Sequence, residues 1–227
     1  MLSGGEIPLS VRVSERARRL TLKLSANGDA VELVMPQRVP LSAARAFVDG
    51  NRGWIEARLR ALPPRNLFAD GTEVPILGEN HRIRHMGLKS LGRGAVWIED
   101  KEIRVVGDPA HMSRRVQDYL KTIARREFSE RARRLAQVIG RPVERVTIRD
   151  MKSRWGSCSS TGSLAFSWRV ILAPEPVLHY LVAHEVAHLA EMNHGVRFWR
   201  LVEQLAPGAE AQRAWLQRNR ATLMRYG

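Results

Sequence analysis

The stretch Tyr180-Leu181-Val182-Ala183-His184-Glu185-Val186-Ala187-His188 carries two histidines four residues apart, with a carboxylate directly after the first. On an α-helix, residues four apart lie one above the other, so both imidazoles leave the same face at about the separation two ligands of one metal ion need. Glu185 projects around the helix to the rim of that face, where it can reach a water without ligating the ion. The bland alternative is a pair of core histidines on an ordinary helix, but a glutamate set between histidines at this spacing is uncommon by chance. Two ligands alone do not hold a catalytic ion, so a third is required.

His194 stands ten residues after His184. On an unbroken helix it would lie about 15 Å farther along the axis, so the helix has to end first. Pro174 and Pro176 predict the start of this helix, which is expected to run to about Met192. Asn193 can adopt the left-handed conformation that ends helices, and Gly195 loosens the chain beyond it. The spacing matches the first and third histidines of the metzincin pattern H-E-x-x-H-x-x-G-x-x-H, with Glu191 where that pattern has glycine, so the turn must be built differently. Glu191 is the competing third ligand; otherwise Glu191 and Asn193 sit behind the ligands and orient an imidazole. Three imidazoles suit several divalent ions, and zinc is the expected one.

Around this segment the pattern is mixed. Strands are predicted near Val11–Val13, Arg19–Leu24 and Val31–Met35, with a hairpin turn at Asn27-Gly28-Asp29. A helix over Ser42–Leu62 follows, with Ala46, Phe47, Trp54, Ile55 and Leu59 facing inward. Short strands recur at Glu73–Leu77, His81–His85, Ala95–Ile98 and Ile103–Val106, and Gly107-Asp108-Pro109 reads as a boundary. From Ala110 to Val138 a long helix is predicted from the recurrence of Val116, Leu120, Ile123, Phe128 and Leu135. Its outer face is expected to carry Arg114, Arg115, Lys121, Arg125, Arg126, Arg131, Arg133 and Arg134. A strand at Arg145–Arg149, a turn-rich run Arg154–Ser160, strands across Ser163–Leu172 and helices at Val196–Leu205 and Ala209–Met224 complete the chain. The fold class that results is α+β: a β-rich N-terminal domain with one helix over residues 1–108, then a second domain over 109–227 that carries the histidines.

Several residues near the histidines invite roles. Arg154 and Arg169 are candidates for donating to the oxyanion that develops when a carbonyl is attacked, or for contacting substrate, though each reads equally well as structural. The strand Ser163–Leu172 could take an extended peptide by edge pairing. Cys158 reads as an inert buried thiol rather than a ligand, and Trp155, Trp168 and Trp199 as core.

The chain has 227 residues, enough to bury a substantial core, and a single cysteine, which excludes an internal disulfide and suits a reducing compartment. Met1–Glu6 lacks the basic and apolar stretches of a signal peptide, and no segment reads as a bilayer span, so a cytoplasmic location is expected. The 37 Lys and Arg against 23 Asp and Glu leave a net charge of +14. That excess favours anionic partners, nucleic acid or nucleotide included, although a solvated basic surface accounts for it as well. No Gly-rich phosphate loop is present.

Taken together, Arg154-Trp155-Gly156-Ser157-Cys158, Phe166–Pro174, His184-Glu185-Val186-Ala187-His188-Leu189, Asn193-His194 and Arg197-Phe198-Trp199 resemble the YgjP-like zinc metallopeptidases, relatives of the SprT-like and WLM peptidases. The likeness extends weakly to Val11-Arg12 and Ser14–Arg19, and is densest from Val146 to Leu216. It implies that residues 109–227 are a minimal zincin-like metallopeptidase domain with a zinc site of His184, His188 and His194, Glu185 as catalytic acid and base, and protein or peptide substrates. Gly195 departs from the serine usual there. The same likeness brings two alternatives: a metal-dependent pyrophosphatase acting on a nucleoside triphosphate such as UTP, and a peptidase recruited to nucleic acid through its basic surface. A non-catalytic zinc module is the third.

Overall fold

Alternation of apolar and polar residues in the first third of the chain produces strands. In the computed structural model, which describes residues 8–25, 28–88 and 94–227, these are β1 (Leu9–Val13), β2 (Thr21–Leu24) and β3 (Val31–Met35). They form one sheet in the order β1-β3-β2, with β1 parallel and β2 antiparallel to β3. Asn27 of the expected hairpin turn lies outside the described residues. The single helix expected over Ser42–Leu62 is two, α1 (Leu41–Gly50) and α2 (Arg52–Arg60), broken at Asn51, whose side-chain amide donates to the Phe47 carbonyl at 2.7 Å. Gly50 and Gly53 flank the break and weaken a continuous helix there. Leu33, Met35 and Ala44 are the buried centre of this unit, with Leu20, Leu22 and Phe47 against them. Ala46 and Trp54, expected inward, are exposed; Ala44 and Ile55 hold the buried positions.

The chain separates into two compact units, Met1–Pro64 and Arg65–Gly227. The second opens with β4 (Glu73–Ile76), β5 (Glu79–His85), β6 (Val96–Glu99) and β7 (Glu102–Val105), a sheet in the order β4-β5-β7-β6 in which β5 and β7 run parallel. Helix α3 (Met112–Val138) follows, and its stripe of Val116, Leu120, Ile123, Phe128 and Leu135 shares one continuous core with Val74, Ile83, Ile103 and Val105 of that sheet. The division expected after residue 108 therefore falls inside this unit. Gly107-Asp108-Pro109 is a local turn, and a turn says nothing about which faces pack across it.

Next come β8 (Arg145–Arg149), β9 (Gly156–Cys158) and β10 (Ser163–Ser167), a sheet in the order β8-β10-β9. Phe166 on β10 stacks on Phe128 of α3 with ring centroids 4.4 Å apart, joining sheet to helix. Two expectations change here. The run Arg154–Ser160 contains an edge strand rather than only turns, and Trp168–Leu172 is a fully buried 3-10 helix rather than the end of a strand. Strand β10 is thus central and short, with no free edge for a peptide. Helices α4 (Glu175–Ala187), α5 (Val196–Leu205), α6 (Ala209–Arg218) and α7 (Arg220–Met224) complete the unit.

Arg131, expected on the outer face of α3, is 8% exposed. It pairs with Glu127 on its own helix and with Glu175 at 2.6 Å, so it ties α3 to the first turn of α4. A guanidinium is tolerated at that depth only because both carboxylates meet it. Among the described residues, no helix is long and apolar enough to cross a membrane.

Candidate metal centre and its cleft

Helix α4 starts where expected. Pro174 caps it, and Pro176 occupies the first turn, where its missing N–H has no intrahelical partner to lose. Val177, Leu178, Tyr180, Leu181, Val182, Ala183, Val186 and Ala187 are buried, so the helix is enclosed nearly all round, packed among α3, β9, α5 and α6. Within that apolar enclosure sits Glu185, 5% exposed. Burial pushes its carboxyl up to about 8, against the opposing pull of Arg154. A lone ionisable group at such depth stabilises nothing, and the fold holds it there at a cost.

The helix ends at Ala187, five residues earlier than expected, with His188 as its C-cap. The chain tightens through Leu189 N–H to Val186 O (2.9 Å) and Ala190 N–H to Ala187 O (3.1 Å). Asn193 does not take the left-handed conformation: Leu77, Asp100 and Lys101 are the described non-glycine residues with positive φ. Gly195 is extended, with φ of −81° and ψ of −175°, and caps α5. The turn is thus made by early helix termination without a special residue.

That termination brings His194 back. One ring nitrogen each from His184, His188 and His194 lie within 4.8 Å of one another. The Nε2 atoms of His184 and His194 are 3.2 Å apart, near the ~3.3 Å edge of a tetrahedron with ligands at about 2.0–2.1 Å. His188 Nδ1 lies 3.1 Å from the Glu191 backbone carbonyl; as donor in that bond it leaves Nε2 with a free lone pair. Burial, then the neighbouring His188 and His194, hold His184 down to about 4, and burial likewise lowers His188. Neutral imidazoles with converging nitrogens are what a divalent cation requires, so these residues fit the metal that the sequence implies.

Aromatic rings brace the cluster. Phe198, fully buried on α5, meets the rings of His188, His194 and His184 at centroid distances of 4.5, 4.7 and 5.0 Å, and Trp199 lies against His184 and His194 at 5.7 and 5.8 Å. Beside the cluster a cleft of about 310 Å³ opens onto His184 and Glu185, with Arg154, Trp155, Tyr180 and Arg213 in its walls. Of the tryptophans expected in the core, Trp168 is fully buried, and Trp155 and Trp199 are partly buried against that core, with Trp155 also lining the cleft.

Not every candidate is gathered. Arg169 is 7% exposed, bonded to Asp150 at 3.1 Å and to the carbonyls of Leu223 and Tyr226, with its guanidinium 4.6 Å from the Trp168 ring. It clamps the C-terminal segment and does not line the cleft. Glu191 contributes its backbone carbonyl, not its carboxylate, and the Asn193 side chain is exposed. Cys158 is outside the histidine group; burial, then Glu185, push its thiol up to about 11. At pH 8 only about a thousandth would be thiolate, so iodoacetamide should alkylate the native chain far more slowly than the urea-unfolded chain. Equal rates would contradict this.

Missing from the sequence reading were Gly156 and the arginines of α6 and α7. A Cβ at Gly156 would stand 2.4 Å from Glu185 Oε1, so this glycine is the space in which the carboxylate lies.

A family model described as YgjP-like, metallopeptidase domain, matches residues 18–219. Among solved structures, the crystal structure of the metallopeptidase zymogen of Pyrococcus abyssi abylysin is similar at 24% identity, over 40% of this chain and 93% of that one, with a TM-score of 0.37. No curated protein matches.

Proposed function

The chain belongs to the YgjP-like metallopeptidase family, and from that premise we propose a zinc peptidase in which His184, His188 and His194 hold the ion and Glu185 carries the proton. Family membership makes it a metal-dependent hydrolase of peptide bonds, acting on protein or peptide. The finer reading places a zincin-like active site in the unit Arg65–Gly227, with α4 as its active-site helix. It is carried by one observation, the convergence of three imidazole nitrogens within 4.8 Å beside a buried carboxylate.

A bound divalent cation supplies the positive charge that acidifies water and polarises the scissile carbonyl. Glu185 accepts the proton of the attacking water and returns it to the leaving amine nitrogen. Its enclosure against Gly156 keeps the carboxylate from wandering between the two transfers. Strand β9 is the edge of its sheet and contains Gly156, so an extended substrate can add to it through backbone hydrogen bonds, in place of the role expected of Ser163–Leu172.

Metal analysis tests the site. Purified protein is expected to carry zinc stoichiometrically, to lose casein cleavage on chelation and to regain it with zinc. His188→Ala should lose the metal. Full occupancy in that variant would remove His188 from the ligand set, and zinc-loaded protein inert toward casein and peptides would undo the catalytic reading.

A further inference from the structure

The cleft beside Glu185 has an unbalanced lining. Arg154, Arg213 and Arg220 face it, and Glu185 is the one carboxylate in its wall. Arg213 lies with its guanidinium 5.1 Å from the Trp199 ring, and Arg220 with its guanidinium 5.5 Å from the Trp155 ring. Contact with an aromatic ring holds such a group in place without consuming its N–H donors. Arg213 has one carboxylate within reach, Glu210 at 3.8 Å with its side chain 86% exposed, which is too distant and too wet to neutralise it. Arg220 spends one donor on the Lys152 carbonyl at 2.8 Å, and Arg154 is exposed, with its charge acting on the Glu185 carboxyl.

Three arginines packed more deeply elsewhere in the unit differ. Arg104 meets Glu99, Asp100 and Glu102; Arg131 meets two glutamates; Arg169 is saturated by Asp150 and two carbonyls. The guanidiniums of Arg213 and Arg220, held but largely unspent, together with exposed Arg154 next to the group that would move the proton, are a site for an anion on the substrate. At about 310 Å³ the cleft is at the small end of ligand pockets, a size for one amino-acid side chain or chain end rather than a whole nucleotide.

Resting on the peptidase reading above, we propose that Arg154, Arg213 and Arg220 form an anion-selecting subsite that holds a carboxylate of the peptide beside the scissile bond. The enzyme then selects an acidic residue, or the C-terminal carboxylate, at that position.

Binding and cleavage test this separately. Equilibrium binding to the full-length chain, followed by tryptophan fluorescence in chelator so that no carboxylate is captured by metal, is measured for three probes. They are a blocked alanine peptide carrying one aspartate, the same peptide with asparagine, and an acetylated alanine peptide ending in a free carboxylate. The aspartate or the free-acid probe should bind at least about tenfold more tightly than the asparagine probe. Arg213→Gln should shrink that preference, and Arg213→Glu should abolish it. Whichever acidic probe is preferred identifies the source of the carboxylate. Equal binding of all three, an unchanged preference in both Arg213 variants, or displacement by UTP with no response to either acidic probe overturns the subsite. Cleavage by the zinc-loaded enzyme gives the other reading: acid-selective binding without hydrolysis of any peptide leaves the subsite standing and sinks the peptidase. Hydrolysis with no acidic preference in binding does the reverse.

Discussion

Glu185→Gln is expected to lower kcat for peptide cleavage by roughly a hundred- to ten-thousandfold, the range for loss of a positioned general acid–base. The amide matches the carboxyl in shape and can still donate and accept hydrogen bonds, but it cannot take a proton from water at neutral pH. Because the residue is 5% exposed in an apolar helix, removing its ionisable group leaves packing intact and relieves the cost of burying a carboxyl that ionises readily in the unfolded chain. Thermal stability should therefore stay level or rise. Zinc content should be unchanged, because the nitrogens that converge belong to His184, His188 and His194. The measurement is kcat together with metal content and melting temperature on the same preparations. A loss of less than about tenfold would assign the proton transfer elsewhere. Activity and zinc lost together would make Glu185 a structural support of the metal.

What the sequence made legible followed from local geometry. His184 and His188 share a face because four residues are close to one helical turn, and α3 was readable because its apolar stripe repeats without interruption. His194 was readable only through the demand that the helix stop, and the demand was right while its means were not. The helix closes at Ala187 through successive short turns, which require no signature residue, rather than at Asn193. Arg213 and Arg220 were illegible for another reason: they reach the cleft from α6 and α7, and among 37 basic residues nothing in the sequence distinguishes a held guanidinium from a solvated one. The boundary near residue 108 failed to match the compact units because packing of β4–β7 against α3 is non-local, and a Gly-Asp-Pro turn carries no trace of it. Arg131 was misplaced for the same cause, since Glu175 lies far away in sequence, and the two readings of Arg169 stayed open because Asp150, Leu223 and Tyr226 are distant too.

Gly156→Ala is expected to lower kcat by about a hundredfold, the penalty for displacing a reacting group by about an ångström. No positive φ is involved; the requirement is space. A Cβ there would lie 2.4 Å from Glu185 Oε1, 2.7 Å from Cγ and 2.8 Å from Cδ, closer than real side chains approach. Helix α4 cannot back away, because Val182, Ala183, Val186 and Ala187 around Glu185 are all fully buried. The carboxylate must swing toward the cleft, the one side not closed by packing. Gly156 acts through Glu185 and touches no reacting atom, and this makes the test specific. In the double variant Gly156→Ala with Glu185→Gln, the alanine should cost little beyond the glutamine alone, whereas independent sites would multiply their losses. Zinc content should be that of the wild type in all three variants. Multiplicative losses in kcat, with metal retained, would show that the alanine damages the strand that receives the substrate and not the placement of the carboxylate.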